Sequence, residues 1–198
     1  ELPNHASTAC FATLEMQKRG EELRKMLLEQ NRPMLHTRMG LNSGPVVVGN
    51  MGSADRMDYT MMGDVVNLAA RLEGANKFYK TFTMISGSTY ELAKDDIDCR
   101  ELDILRVVGK KEPVRVYELL AKKNETSSEK SGVVEQYLKG IKLYKDKNFK
   151  DAITEFEKVL KLDPEDGPAQ TYVKRCGMFL DTPPEKDWDG VFTHTEKG

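Results

Sequence analysis

Two residues one helical turn apart carry the most chemistry in this chain. Asn67 and Arg71 lie four positions apart in a stretch running from Asp64 to Ala75, and residues so spaced are neighbours on a helix. Val65, Leu68, Ala69, Leu72 and Ala75 make an apolar stripe on that helix. At about 100° per residue, Asn67 and Arg71 fall away from the stripe. An amide and a guanidinium aimed together suit an anionic ligand, because the planar guanidinium offers several donors to phosphate oxygens. On spacing alone, a solvated arginine beside a surface asparagine is the commoner arrangement.

Other chemistries find less support. Cys10, Cys99 and Cys176 are far apart, as are His5, His36 and His194, so neither a disulfide framework nor a structural zinc site is expected. The stretch Gly49–Tyr59 reads as a polar, glycine-bearing loop, but lacks the Gly-Lys-Ser/Thr ending of a P-loop. Thirty Lys and Arg balance 32 Asp and Glu for a net charge of −2, which gives no basic field for nucleic acid. The longest strictly aliphatic run is Val46–Val48, far short of the roughly 20 residues of a membrane span. Glu1-Leu2-Pro3-Asn4 has neither the basic flank nor the apolar stretch of a secretory signal. A cytoplasmic location is therefore expected.

The elements that must position Asn67 and Arg71 follow from periodicity. A helix is predicted from Asn4, as its cap, to Gln30. Leu35–Leu41 alternates as a strand, and Val46–Val48 reads as a second, more buried one, the two forming a hairpin across Ser43-Gly44-Pro45. Asp64 caps the helix of the Asn67–Arg71 pair. Then come a strand at Phe82–Ser86, a short helix at 88–94, and two strands at Ile97–Val108 and Val114–Leu120. This order predicts an α+β layer with helices on one face of a largely antiparallel sheet. Residues 122–132 (KKNETSSEKSG) contain no apolar side chain and read as a linker. Beyond it the pattern is purely helical.

The run Arg38-Met39-Gly40-Leu41-Asn42-Ser43-Gly44, the run Val48-Gly49-Asn50-Met51-Gly52, and above all the continuous run Tyr59 to Glu73 (YTMMGDVVNLAARLE) resemble the class III adenylate and guanylate cyclase catalytic domain. So do Arg106-Val107-Val108-Gly109-Lys110 and Pro113 to Leu119. The resemblance implies a ferredoxin-like sheet-and-helix layer over residues 1–121. It implies that ATP is cyclised, its 3′-hydroxyl attacking the α-phosphorus while pyrophosphate leaves. Asn67 matches the asparagine that orients the ribose, and Arg71 the arginine that stabilises the pentavalent transition state. Lys110 matches the lysine on the triphosphate. Thr60 falls at the base-selecting position, where threonine resembles an adenylate cyclase subgroup; a guanylate cyclase is the alternative. The family also needs two aspartates for Mg²⁺ or Mn²⁺. Both precede its counterpart of the first helix, and no substitute occurs here, so no metal ligand is assigned to this chain. The resemblance thus implies the second half of a domain, inactive alone, and a head-to-tail homodimer in which a second cyclase subunit brings the other residues. A degenerate scaffold presenting an interaction module is the rival reading.

In residues 133–180, Gly140, Tyr144, Phe149, Ala152, Phe156 and Pro164 fall at intervals that resemble a tetratricopeptide repeat with a capping helix. The overall expectation is therefore an α+β cyclase layer, its N-terminal part missing, plus a small all-α repeat unit. That unit either binds a protein partner or shields the sheet, and burial is expected for Tyr137, Ile141, Phe156, Val173 and Leu180. In the tail, residues 181–198, Trp188 is expected to anchor by packing.

Overall fold

The computed structural model describes residues 2–53, 55–106, 113–185 and 187–191. The elements are α1 (His5–Glu29), β1 (Met39–Leu41), β2 (Val47–Ser53), β3 (Arg56–Met62), α2 (Asp64–Tyr79), β4 (Thr83–Ser86), α3 (Gly87–Ala93), β5 (Ile97–Leu105), β6 (Val114–Lys122), α4 (Ser128–Lys145), α5 (Phe149–Leu162) and α6 (Gly167–Asp181).

Four strands form a sheet in the order β1-β4-β6-β5, with β1 parallel to β4 and the other pairs antiparallel. Side chains on neighbouring strand positions point to opposite faces. Ile85, Tyr117 and Leu119 therefore meet Ala6 and Cys10 of α1 and Ala93 of α3. Met84 and Val116 turn the other way, to Leu68, Leu72 and Tyr79 of α2 and to the aromatic residues of α4–α6. Helices thus cover both faces of the sheet, not one. The three helices after β6 are part of the same core.

Several expected elements differ. The strand at Leu35–Leu41 shrinks to the three residues of β1, which pairs with β4 instead of forming a hairpin with Val46–Val48. Val47 and Val48 enter a separate two-stranded ribbon of β2 and β3, with Val46 just before it, and the three valines are 40%, 66% and 53% exposed. An aliphatic run gives strand propensity without saying what covers it. The polar stretch after Val48 is that ribbon, not a loop. Asn4 makes no side-chain cap bond, and Gly63, not Asp64, holds the cap position of α2.

The expected linker is largely ordered. The Ser127 hydroxyl accepts from the Lys130 amide and starts α4. The Thr126 hydroxyl donates to Asp98 at 2.9 Å, and Lys130 pairs with Asp163 and Asp166 at 3.3 Å each. A segment without apolar side chains is ordered here by capping and ion pairs.

The contact between sheet and helices is polar as well as apolar. Glu101 pairs across to Tyr117 and Asp103 to Val116, so Leu102 is an extra residue in β5 with no partner on β6. Such a bulge turns the strand, and Asp103 joins Arg100 and Leu102 in facing the helices. Arg100, 1% exposed, pairs with Glu118 at 2.5 Å and Asp166 at 2.6 Å, and lies 4.8 Å from the Tyr137 ring centre. Asp166 uses its other oxygen to cap α6 through the Ala169 amide at 2.9 Å. Tyr137, Ile141 and Phe156 are buried, Val173 is half-buried, and Leu180 is 50% exposed. Leu180 therefore departs from its expected place, in the last turn of α6, where little remains to cover it. Trp188 packs with Tyr144, Phe149 and Phe179, ring centres 5.2, 6.0 and 5.2 Å away.

Candidate active site

α2 sits directly on β1. A methyl group at Gly40 would lie 2.2 Å from the Ala69 carbonyl oxygen and 2.4 Å from the Glu73 nitrogen. The absence of a side chain there lets helix and strand backbones touch. Asn76, fully buried, locks the contact: its amide donates to the Met39 carbonyl at 3.0 Å and the Leu72 carbonyl at 2.9 Å, and its oxygen accepts from the Thr81 hydroxyl at 2.8 Å. At the other end, the Asn42 amide donates to the Val65 carbonyl at 2.9 Å, and its oxygen accepts from the Ser88 hydroxyl at 3.0 Å.

These contacts fix which face of α2 is outward. Leu68, Leu72, Ala75, Asn76 and Tyr79 are buried. Asn67 and Arg71 are both exposed, on the same side. Thr60 is exposed on β3, opposite Gly49 of β2 and four residues before α2 begins. Lys110 lies outside the described residues, as does His194. Asn42 and Asn76 were missed as positioning residues. Asn42 stands inside the motif, but nothing in its spacing says that it reaches Val65.

A cavity of about 410 Å³ opens beside this region, lined mainly by apolar groups that include Leu41, Met61, Val65, Val66 and Ala69. Neither Asn67 nor Arg71 lines it. The polar pair is presented on an open helix face, and an exposed amide beside an exposed guanidinium can bind an anionic group arriving from outside. Among the described residues no three His, Cys, Asp or Glu side chains come together as a metal site. These residues do not fit a divalent-metal centre, and no step is derived through one.

Residues 1–121 match the sequence model of the adenylate and guanylate cyclase catalytic domain. The chain belongs to that family. Adenylate cyclase 1 of Rhizobium meliloti is 36% identical over 116 residues, 59% of this chain and 17% of that protein. The terminal-differentiation specific adenylate cyclase of Dictyostelium discoideum is 33% identical over 152 residues, 75% of this chain and 7% of that protein. This chain thus spans less than a fifth of either relative. Among solved structures, the adenylyl cyclase CyaB from P. aeruginosa is similar with a TM-score of 0.54 and 35% identity, covering 62% of each chain. The guanylyl cyclase Cya2 is similar with a TM-score of 0.54 and 30% identity, covering 61% of this chain and 60% of that one. The match to the family model ends within β6, so α4–α6 lie beyond that model.

Proposed function

We propose that this chain is part of an adenylate cyclase and supplies the groups that hold the reacting phosphate and ribose. In the reaction the ATP 3′-oxygen bonds to the α-phosphorus and loses its proton, the bond from that phosphorus to the bridging oxygen breaks, and pyrophosphate leaves. Phosphoryl transfer of this kind depends mainly on positioning and charge stabilisation. Asn67 orients the ribose, Arg71 stabilises the charge that grows on the pentavalent phosphorus, Lys110 holds the triphosphate, and Thr60 contacts the base. The threonine hydroxyl donates or accepts, and the resemblance of Thr60 to the adenylate subgroup favours ATP over GTP. The observation that carries this reading is the shared open face of Asn67 and Arg71 on a helix whose opposite stripe is fixed to the sheet.

The ligands of the Mg²⁺ or Mn²⁺ ions are assigned to another part of the intact protein or to a second subunit. A head-to-tail homodimer is supported by the β2–β3 ribbon, where Val47, Met57, Tyr59 and Met61 are 66%, 61%, 76% and 56% exposed. An apolar surface of this kind marks a protein contact. For α4–α6 we favour cover of the sheet over capture of a separate partner, since Tyr137, Tyr172 and Arg175 point to the sheet itself.

In the intact protein, Arg71→Ala should lower kcat by about 100-fold or more and leave KM nearly unchanged, because the contact is made mainly in the transition state. If KM rises and kcat holds, Arg71 is instead a ground-state phosphate clamp. The isolated 198-residue chain should form no cyclic AMP with ATP and either metal; turnover there would expose unrecognised metal ligands.

A further inference from the structure

The helix that presents Asn67 and Arg71 is gripped at its far end by the three-helix unit. Tyr79, the last residue of α2, is fully buried. Its hydroxyl donates to Asp103 of β5 at 2.5 Å. Arg175 of α6 closes the triangle, donating to the same Asp103 oxygen at 2.5 Å and to the Tyr79 oxygen at 3.2 Å. The Thr171 hydroxyl donates to the Phe78 carbonyl at 2.8 Å. A methyl group at Gly167 would lie 2.3 Å from the Tyr79 carbonyl oxygen, so the start of α6 rests on the end of α2. Arg175 and Asp103 are 2% and 3% exposed, and a buried charge pair tolerates little displacement because each partner left alone is costly.

We infer that Arg175 and Tyr79 are positioning residues for the cyclase reaction: through them α4–α6 fix the axial and rotational setting of α2, and so the aim of Asn67 and Arg71. The inference rests on the catalytic assignment of those two residues. Arg71 is eight residues from Tyr79, about 12 Å along a rigid helix. A slide along the helix axis or a turn about it at the anchored end is carried along that length by a rigid helix. Displacements of about 1 Å at reacting groups cost on the order of 100-fold in rate. The sheet-side contacts through Gly40 and Asn76 hold the middle of α2 down; the Arg175–Asp103–Tyr79 triangle sets its end. Without it, α2 slides along and turns about its own axis over that contact, and Arg71 turns with it.

The test uses the intact protein and two variants. Arg175→Met leaves Asp103 charged and buried, and destabilises the fold. Arg175→Met with Asp103→Asn removes both charges while the amide oxygen still accepts from Tyr79. The double variant should regain most of the thermal stability lost by the single one. Its kcat should remain down about tenfold with KM for ATP within about twofold, and the α2 amides of residues 68–76 should exchange hydrogen faster than in the parent. If the double variant recovers kcat together with stability, or if α2 exchange matches the parent, the triangle is structural only and the inference falls. If the parent itself makes no cyclic nucleotide, the proposed function fails separately, and the exchange measurement still decides whether α6 sets α2.

Discussion

Tyr137 of α4 and Tyr172 of α6 donate to the same oxygen, the Leu102 carbonyl, at 3.2 and 2.8 Å. That carbonyl belongs to the extra residue of β5, which has no partner across the sheet. Two hydroxyls from separate helices serve the carbonyl of the residue that stands outside the register.

Removing one hydroxyl should therefore cost little and removing both should cost more than the sum. Tyr137→Phe or Tyr172→Phe alone leaves one donor, for a loss of about 1 kcal/mol. The double variant leaves a buried carbonyl unsatisfied, an added penalty of about 1–3 kcal/mol. Urea unfolding of the three variants measures the difference. Strict additivity would mean that water reaches Leu102.

Arg100 is a harsher test of the same contact. Arg100→Met strands the nearly buried Glu118 and leaves the fully buried Asp166 with Lys130 as its remaining charged partner, and should cost about 3–5 kcal/mol. Arg100→Lys should recover only part of this, because one ammonium cannot reproduce the guanidinium's reach to two carboxylates. Denaturation midpoints of the two variants give the ranking.

Much of the fold was legible where one residue type serves one purpose. The stripe of α2 and the strand at Thr83–Ser86 follow from apolar spacing, and the structure has them nearly where periodicity puts them. The open face of Asn67 and Arg71 was legible for the same reason. Val46–Val48 misled because the run is apolar and yet uncovered. Residues 127–132 misled the other way: Ser127 and Lys130 order their helix through a cap and ion pairs to Asp163 and Asp166, partners more than 30 positions on. Asn42, Asn76 and Arg175 escaped notice because their partners are set by tertiary geometry, which no spacing encodes.

Gly40→Ala should separate α2 from β1. The new methyl meets backbone on two sides, which cannot rotate out of the way, so the helix must lift. A stability loss of about 1–3 kcal/mol is expected, with kcat reduced in the intact enzyme more than KM is raised. Thermal melting and steady-state kinetics check the two parts. An unchanged melting temperature would mean that the helix accommodates the methyl freely.

Burial pushes the Cys10 thiol up to about 11 and the Cys176 thiol up to about 12, from an ordinary value of 9.0. Buried Tyr137 and Tyr172 are shifted up for the same reason. A raised value in the folded state means that the native protein holds protons that the unfolded chain gives up. This stability is fully present below about pH 9 and is lost as pH rises through about 11 to 12. The urea midpoint should hold level from about pH 7 to 8.5 and fall beyond that. At pH 8 a thiol reagent should modify Cys10 and Cys176 only as fast as the protein opens; reaction at the rate of a small free thiol would contradict their burial.

The extra residue in β5 also decides what can be grafted. Helices α4–α6 look like a portable tailpiece by sequence, yet their two tyrosine hydroxyls are shaped to a carbonyl that an unbulged strand would turn into its own ladder. A chimera joining them to a cyclase with a regular strand at this position would meet no free acceptor and no Asp103 on the right face. Transplanting the helices requires carrying Arg100 to Asp103 with them.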